Sequence, residues 1–69
     1  MPHEVRWDDV TEIAVWLHET RPETDPLTVR FTDLHAWICA MPGFADPPGR
    51  SSEKLLEAIQ MAWLDERDD

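Results

Sequence analysis

Apolar residues recur at helical spacing in separate stretches of this chain. In the first, Val10, Ile13, Ala14 and Leu17 form one stripe, the repeat of a helix that buries a single face. Asp8 or Asp9 stands where an N-cap belongs, and acid in the first turn complements the helix dipole. The pattern predicts a helix from about Asp8 or Asp9 to about Thr20. At roughly 100° per residue, Asp8, Glu12 and Glu19 fall opposite the stripe and Trp16 on its flank.

Arg21-Pro22-Glu23-Thr24-Asp25-Pro26 reads as a turn. Asp25 followed by Pro26 suits an N-cap with proline at the first helical position. The next residues fit either one short helical turn or a brief extended piece through Val29 to Phe31. The pattern then predicts a second helix with Thr32 as N-cap, running to about Met41 and burying Leu34, Trp37, Ile38 and Met41. Pro42-Gly43 stops it. Phe44 is expected to anchor the next loop, Ala45-Asp46-Pro47-Pro48-Gly49-Arg50. Ser51 or Ser52 caps a third helix to about Glu66, with Leu55, Leu56, Ile59, Ala62 and Trp63 on a wide apolar face. Arg67-Asp68-Asp69 is expected to fray. The expected fold is mainly α: one small domain over residues 1–69, of three helices in a winged-helix-like, helix–turn–helix type arrangement.

Composition narrows the function classes. A chain of 69 residues builds one modest core. Its single cysteine allows no internal disulfide; with no secretory signal in view, a reducing cytosol is the expected compartment. No apolar run approaches membrane-spanning length. Fifteen acids against six Lys and Arg give a net charge of −9. That field repels phosphate backbones and anionic lipid and attracts basic protein surfaces and cations. A DNA-binding helix–turn–helix is allowed by the fold but has the wrong sign: Asp33 to Met41 offers no Arg or Lys for the major groove. Neither nucleic acid nor a membrane is an expected partner.

The candidate chemistry is sparse. Asp8 with Glu12, and Glu53 with Glu57, form outward acidic pairs at i,i+4. Like charges at that spacing disfavour an isolated helix by a few tenths of a kcal/mol. The bland reading is a solvated face; the functional ones are docking on a basic partner or loose binding of a hard cation through oxygen. His35 and Cys39, also at i,i+4, resemble half of a zinc site. His3 and His18 have no spacing that completes it. A partly buried histidine beside a small apolar-like thiol is the preferred reading over a zinc site shared across an oligomer, and a Cys–His nucleophile is weaker still. Thr32 or Asp33 is expected to cap the second helix while Arg30 pairs with a carboxylate. Trp7, Trp16, Trp37 and Trp63 are read as core, with some edges at an interface. Phosphate loops and common hydrolase and metal signatures are absent, so no enzyme active site is expected.

One stretch is specific. Thr28 to Cys39 reads TVRFTDLHAWIC. Pro22-Glu23-Thr24-Asp25-Pro26 stands before it, and Ser52-Glu53-Lys54-Leu55-Leu56-Glu57-Ala58-Ile59 and Trp63-Leu64-Asp65-Glu66 come after it. From Trp7 to Glu66 the chain resembles the IscX family, small acidic proteins of bacterial iron–sulfur cluster assembly. The resemblance implies a cytoplasmic bacterial accessory protein that binds the cysteine desulfurase IscS and competes there with frataxin and ferredoxin. It also implies weak, transient Fe(II) binding with no tightly bound cofactor, in an iron donor or a regulator of the desulfurase. On this chain the implied metal-binding acids are Asp9, Glu12, Asp33, Glu53 and Glu57. The implied partner surface is Glu12, Glu23, Asp25, Asp33, Glu53 and Glu57. The loop after Phe44 departs from the family: it holds one acid, Asp46, where several are common, and adds Arg50 and extra proline.

Overall fold

The protein is described by a computed structural model covering residues 4–68; His3 and Asp69 lie outside the described residues. Helix α1 spans Val10–Thr20, α2 spans Phe31–Cys39 and α3 spans Glu53–Arg67. Single 3₁₀ turns, Pro26–Thr28 and Pro48–Arg50, sit in the two connections. Among the described residues there is no strand, only a one-residue parallel bridge between Val5 and Phe44. The mainly helical, three-helix expectation is met; no strand pair is present there to stand for a wing.

The helix starts differ from expectation in instructive ways. Asp9 is the N-cap of α1, but its side chain makes no cap bond. Its Oδ2 instead accepts the backbone N–H of Arg6 at 2.9 Å, which folds the preceding turn. Asp8 lies in that turn, so Asp8 and Glu12 are not a pair along one helix face. Asp25 does cap Pro26–Thr28, accepting the Leu27 N–H at 3.0 Å, and the short helical turn is the alternative realised. Thr32 is not the cap of α2. The helix begins one residue earlier at Phe31, with extended Arg30 as N-cap and no side-chain cap bond. Half-burying Phe31 against the core replaces the capping interaction. Ala40 ends α2, and Gly43 comes after it with φ of 84°, a backbone conformation for which glycine carries no Cβ penalty. Ser52 caps α3 through the Leu55 N–H at 3.2 Å. Arg67 is the last residue of that helix rather than a frayed end. It is held by an ion pair to Asp25 at 3.7 Å.

Helix α3 touches both other helices and lies chiefly along α1. Ile13, Ala14 and Leu17 of α1, Leu34 and Ile38 of α2, and Leu56, Ile59 and Trp63 of α3 share one buried cluster. Pro26 is buried as well, and its carbonyl accepts the Gln60 side-chain N–H at 2.8 Å, tying the 3₁₀ turn to α3. The radius of gyration is 11.1 Å, about the 11 Å of a fully compact chain this long.

Before α1, Val5 and Trp7 are also buried. The Val5 N–H donates to the Gly43 carbonyl at 3.0 Å, and the Ala45 N–H donates to the Val5 carbonyl at 2.9 Å. Trp7 is 1% exposed. Its indole N–H donates to the Pro47 carbonyl at 2.9 Å and its backbone N–H to Asp46 Oδ2 at 3.1 Å. Its ring meets Phe44 edge-on at 4.8 Å and stacks on His35 at 5.1 Å.

Replacing Trp7 therefore has a graded outcome. Trp7→Phe keeps most ring contact, loses the indole hydrogen bond, and should lower stability by about 1–2 kcal/mol. Trp7→Ala opens a cavity costing about 3–5 kcal/mol, enough to remove most of the stability of so small a domain. Urea unfolding monitored by circular dichroism measures both.

Candidate functional site

The acids proposed from sequence are spread over the three helices and one turn. Glu12 is exposed on α1, Asp33 in the first turn of α2, and Glu53 and Glu57 on α3. Asp33, Glu53 and Glu57 make no ion pair among the described residues. Glu23 and Asp25 are exposed before Pro26, but Asp25 is engaged by Leu27 and Arg67. Asp9 is half-buried and holds the Arg6 N–H, so it contributes to the turn before α1 rather than to an open face. Among the described residues, no three His, Cys, Asp or Glu side chains converge as a metal-binding group.

The few cations are engaged differently. Arg6 pairs with Glu4 at 3.7 Å and Arg50 with Asp46 at 4.0 Å. Arg30, expected to pair with a carboxylate, is exposed, with no ion pair among the described residues. Arg21 makes the contact that sequence reasoning missed. Its guanidinium lies 4.2 Å from the ring centre of Trp37 and 5.5 Å from that of Trp16. Trp16 and Trp37 are thus half-buried, not core, and the cation joins the end of α1 to α2. Trp7 and Trp63 are the two core indoles. The signal available in sequence was an arginine directly after α1, an indole on the flank of α1 and a second indole on α2.

His35 and Cys39 lie side by side on α2. The His35 Nε2–H donates to the Pro48 carbonyl at 2.9 Å. In the neutral imidazole this leaves Nδ1 as an acceptor, and Cys39 Sγ lies 3.8 Å from it. The His35–Pro48 bond pins α2 to the loop before α3, and the Trp7 stack joins it to the segment before α1. Burial pushes the Cys39 thiol above its ordinary pKa, the opposite of an activated nucleophile. The arrangement is that of a half-buried histidine beside a half-buried thiol.

A family model described as iron-sulphur cluster assembly matches residues 5–68. An uncharacterized protein of Pseudomonas aeruginosa is 55% identical over 64 residues, covering 93% of this chain and 97% of the relative. The fold and the acidic exterior thus belong to a small protein of the iron–sulfur cluster assembly class. The chain is a member of the IscX family. Among the described residues, no helix is long and apolar enough to cross a membrane.

The local geometry has two measurable consequences. Arg21→Ala should cost about 0.5–2 kcal/mol by removing the cation from both indoles. It should also shift tryptophan emission, whereas Arg21→Lys keeps part of both effects. Cys39 should react with iodoacetamide more slowly than a free thiol at neutral pH, and as fast as one after unfolding in urea, as read by mass spectrometry.

Proposed function

We propose that this chain is a non-enzymatic accessory protein of cluster assembly that docks on the cysteine desulfurase through its acidic exterior and carries Fe(II) weakly as cargo. The observation that carries the reading is the distribution of charge. Glu23, Asp33, Glu53 and Glu57 are exposed, without ion pairs among the described residues, on a chain of net charge −9. Arg6, Arg21, Arg50 and Arg67 are meanwhile engaged in contacts within the molecule. Such a surface favours encounter with a basic protein face. Its donors are carboxylate oxygens, the hard ligands that suit a hard or borderline cation. In this reading the ion is held loosely and exchanges, as a cargo must.

The iron donors are Glu12, Asp33, Glu53 and Glu57, with Asp9 the weakest candidate because of its bond to Arg6. The docking surface draws on the same acids with Glu23 and Asp25. In this reading frataxin and ferredoxin compete with it for the desulfurase. Iron delivery and restraint of the desulfurase are two consequences of one docked state.

Calorimetric titration with the desulfurase should show binding at low salt that weakens steeply as salt rises, since exposed charges are screened beyond about 10 Å at 0.1 M. Absence of binding at low salt defeats the partner reading. Ferrous titration under anaerobic conditions should broaden the NMR signals of Glu12, Asp33 and Glu57 first. Broadening elsewhere, with these unmoved, defeats the iron reading.

A further inference from the structure

Beside α1 lies a hollow of about 360 Å³ lined by Glu12, Val15, Trp16, Glu19 and Met41. Its floor is apolar: Met41 is buried, and Val15 and Trp16 are half-buried. Its rim carries carboxylates, with Glu12 and Glu19 both exposed on α1. Seven residues apart on one helix, they stand on the same side, about 10 Å from each other along the axis. The Glu19 side chain makes no hydrogen bond or ion pair among the described residues. The hollow is open to solvent, and no chain segment among the described residues fills it.

We propose that this hollow receives a lysine or arginine side chain of a basic protein partner, a placement that deepens the docking reading above and rests on it. An apolar floor with acids at its edge fits an amphipathic cation. The aliphatic stem covers Val15, Trp16 and Met41 while the charged head reaches Glu19. Trp16 already shows this chemistry within the molecule, where the Arg21 guanidinium lies 5.5 Å from its ring centre. Partial desolvation strengthens both the cation–π contact and the ion pair relative to open water. The other occupants are opposed by charge. A second copy brings a net charge of −9 to the same field, and an anionic membrane is repelled by it. Trp16 and Met41 make the hollow an anchor point, whereas Glu53 and Glu57 on α3 supply only long-range attraction.

Hexa-arginine and hexa-lysine, with hexa-glutamine as the uncharged control, test the groove directly by NMR. The basic peptides should shift the Trp16 indole N–H and the Met41 methyl, and hexa-glutamine should not. Glu19→Gln should weaken the response about three- to tenfold. Shifts confined to Glu53 and Glu57, with Trp16 and Met41 unmoved, overturn the proposal. Calorimetry with the desulfurase then separates the two readings. Glu19→Arg should weaken binding about tenfold or more. Asp65→Arg, at an exposed position of α3, changes net charge equally, and should weaken binding less. Circular dichroism establishes that both variants are folded. Equal losses for the two overturn the groove and leave general electrostatic docking intact. No desulfurase binding by the unaltered chain, with basic peptides still seated at Trp16, overturns the desulfurase reading and supports the groove for another basic partner.

Discussion

The structure depends on how Trp7 is held. Three helices of nine to fifteen residues are each near or below the length at which a helix persists alone, so their stability comes from tertiary contact. Trp7 joins segments that sequence order keeps apart. Its indole N–H binds the Pro47 carbonyl, its main chain binds Asp46, and its ring touches Phe44 and His35. The segment before α1, helix α2 and the loop before α3 therefore share one anchor. Asp46 is committed to that anchor. The lone acid of the loop accepts the Trp7 N–H and faces Arg50, which makes it a structural acid rather than part of an outward docking face.

Much of the helical frame was legible because apolar periodicity survives in a small domain. Leu34, Ile38, Leu56, Ile59 and Trp63 fall in the core as their spacing requires, and the Asp25-Pro26 and Ser52 starts obey capping chemistry. The misses share a physical cause. Thr32 is a good cap in isolation, but α2 starts where Phe31 can pack, and tertiary burial outweighs a cap bond of about 1 kcal/mol. Trp37 has the spacing of a core residue and the size of one, yet Arg21 covers its face. A cation–π contact between the end of one helix and the side of another has no periodic signature. Likewise Arg67 is ordered by Asp25, a partner distant in sequence.

The candidate site was legible in type more than in place. Its chemistry, carboxylate oxygens in excess, is set by composition. Which acids remain outward is decided by local contacts that no pattern reports: Asp9 is drawn to Arg6, Asp25 to Leu27 and Arg67, Asp46 to Trp7. Asp33, Glu53 and Glu57 are left exposed because their own helices place them on the solvent side.

The placement of the arginines explains how so acidic a chain stays folded while remaining available to a partner. Self-repulsion from net charge destabilises a compact state, and internal cations relieve it. Arg21 and Arg67 each act at a junction between elements, α1 with α2 and α3 with the turn after α1, and Arg50 faces Asp46, the acid that holds the Trp7 N–H. Cations placed at junctions stabilise the frame without neutralising the outer faces of α2 and α3. In the docking proposed above, the exposed acids of those faces attract a basic partner over long range, and the hollow over Trp16 and Met41 anchors it at short range. The first governs how often a partner arrives, and the second how long it stays.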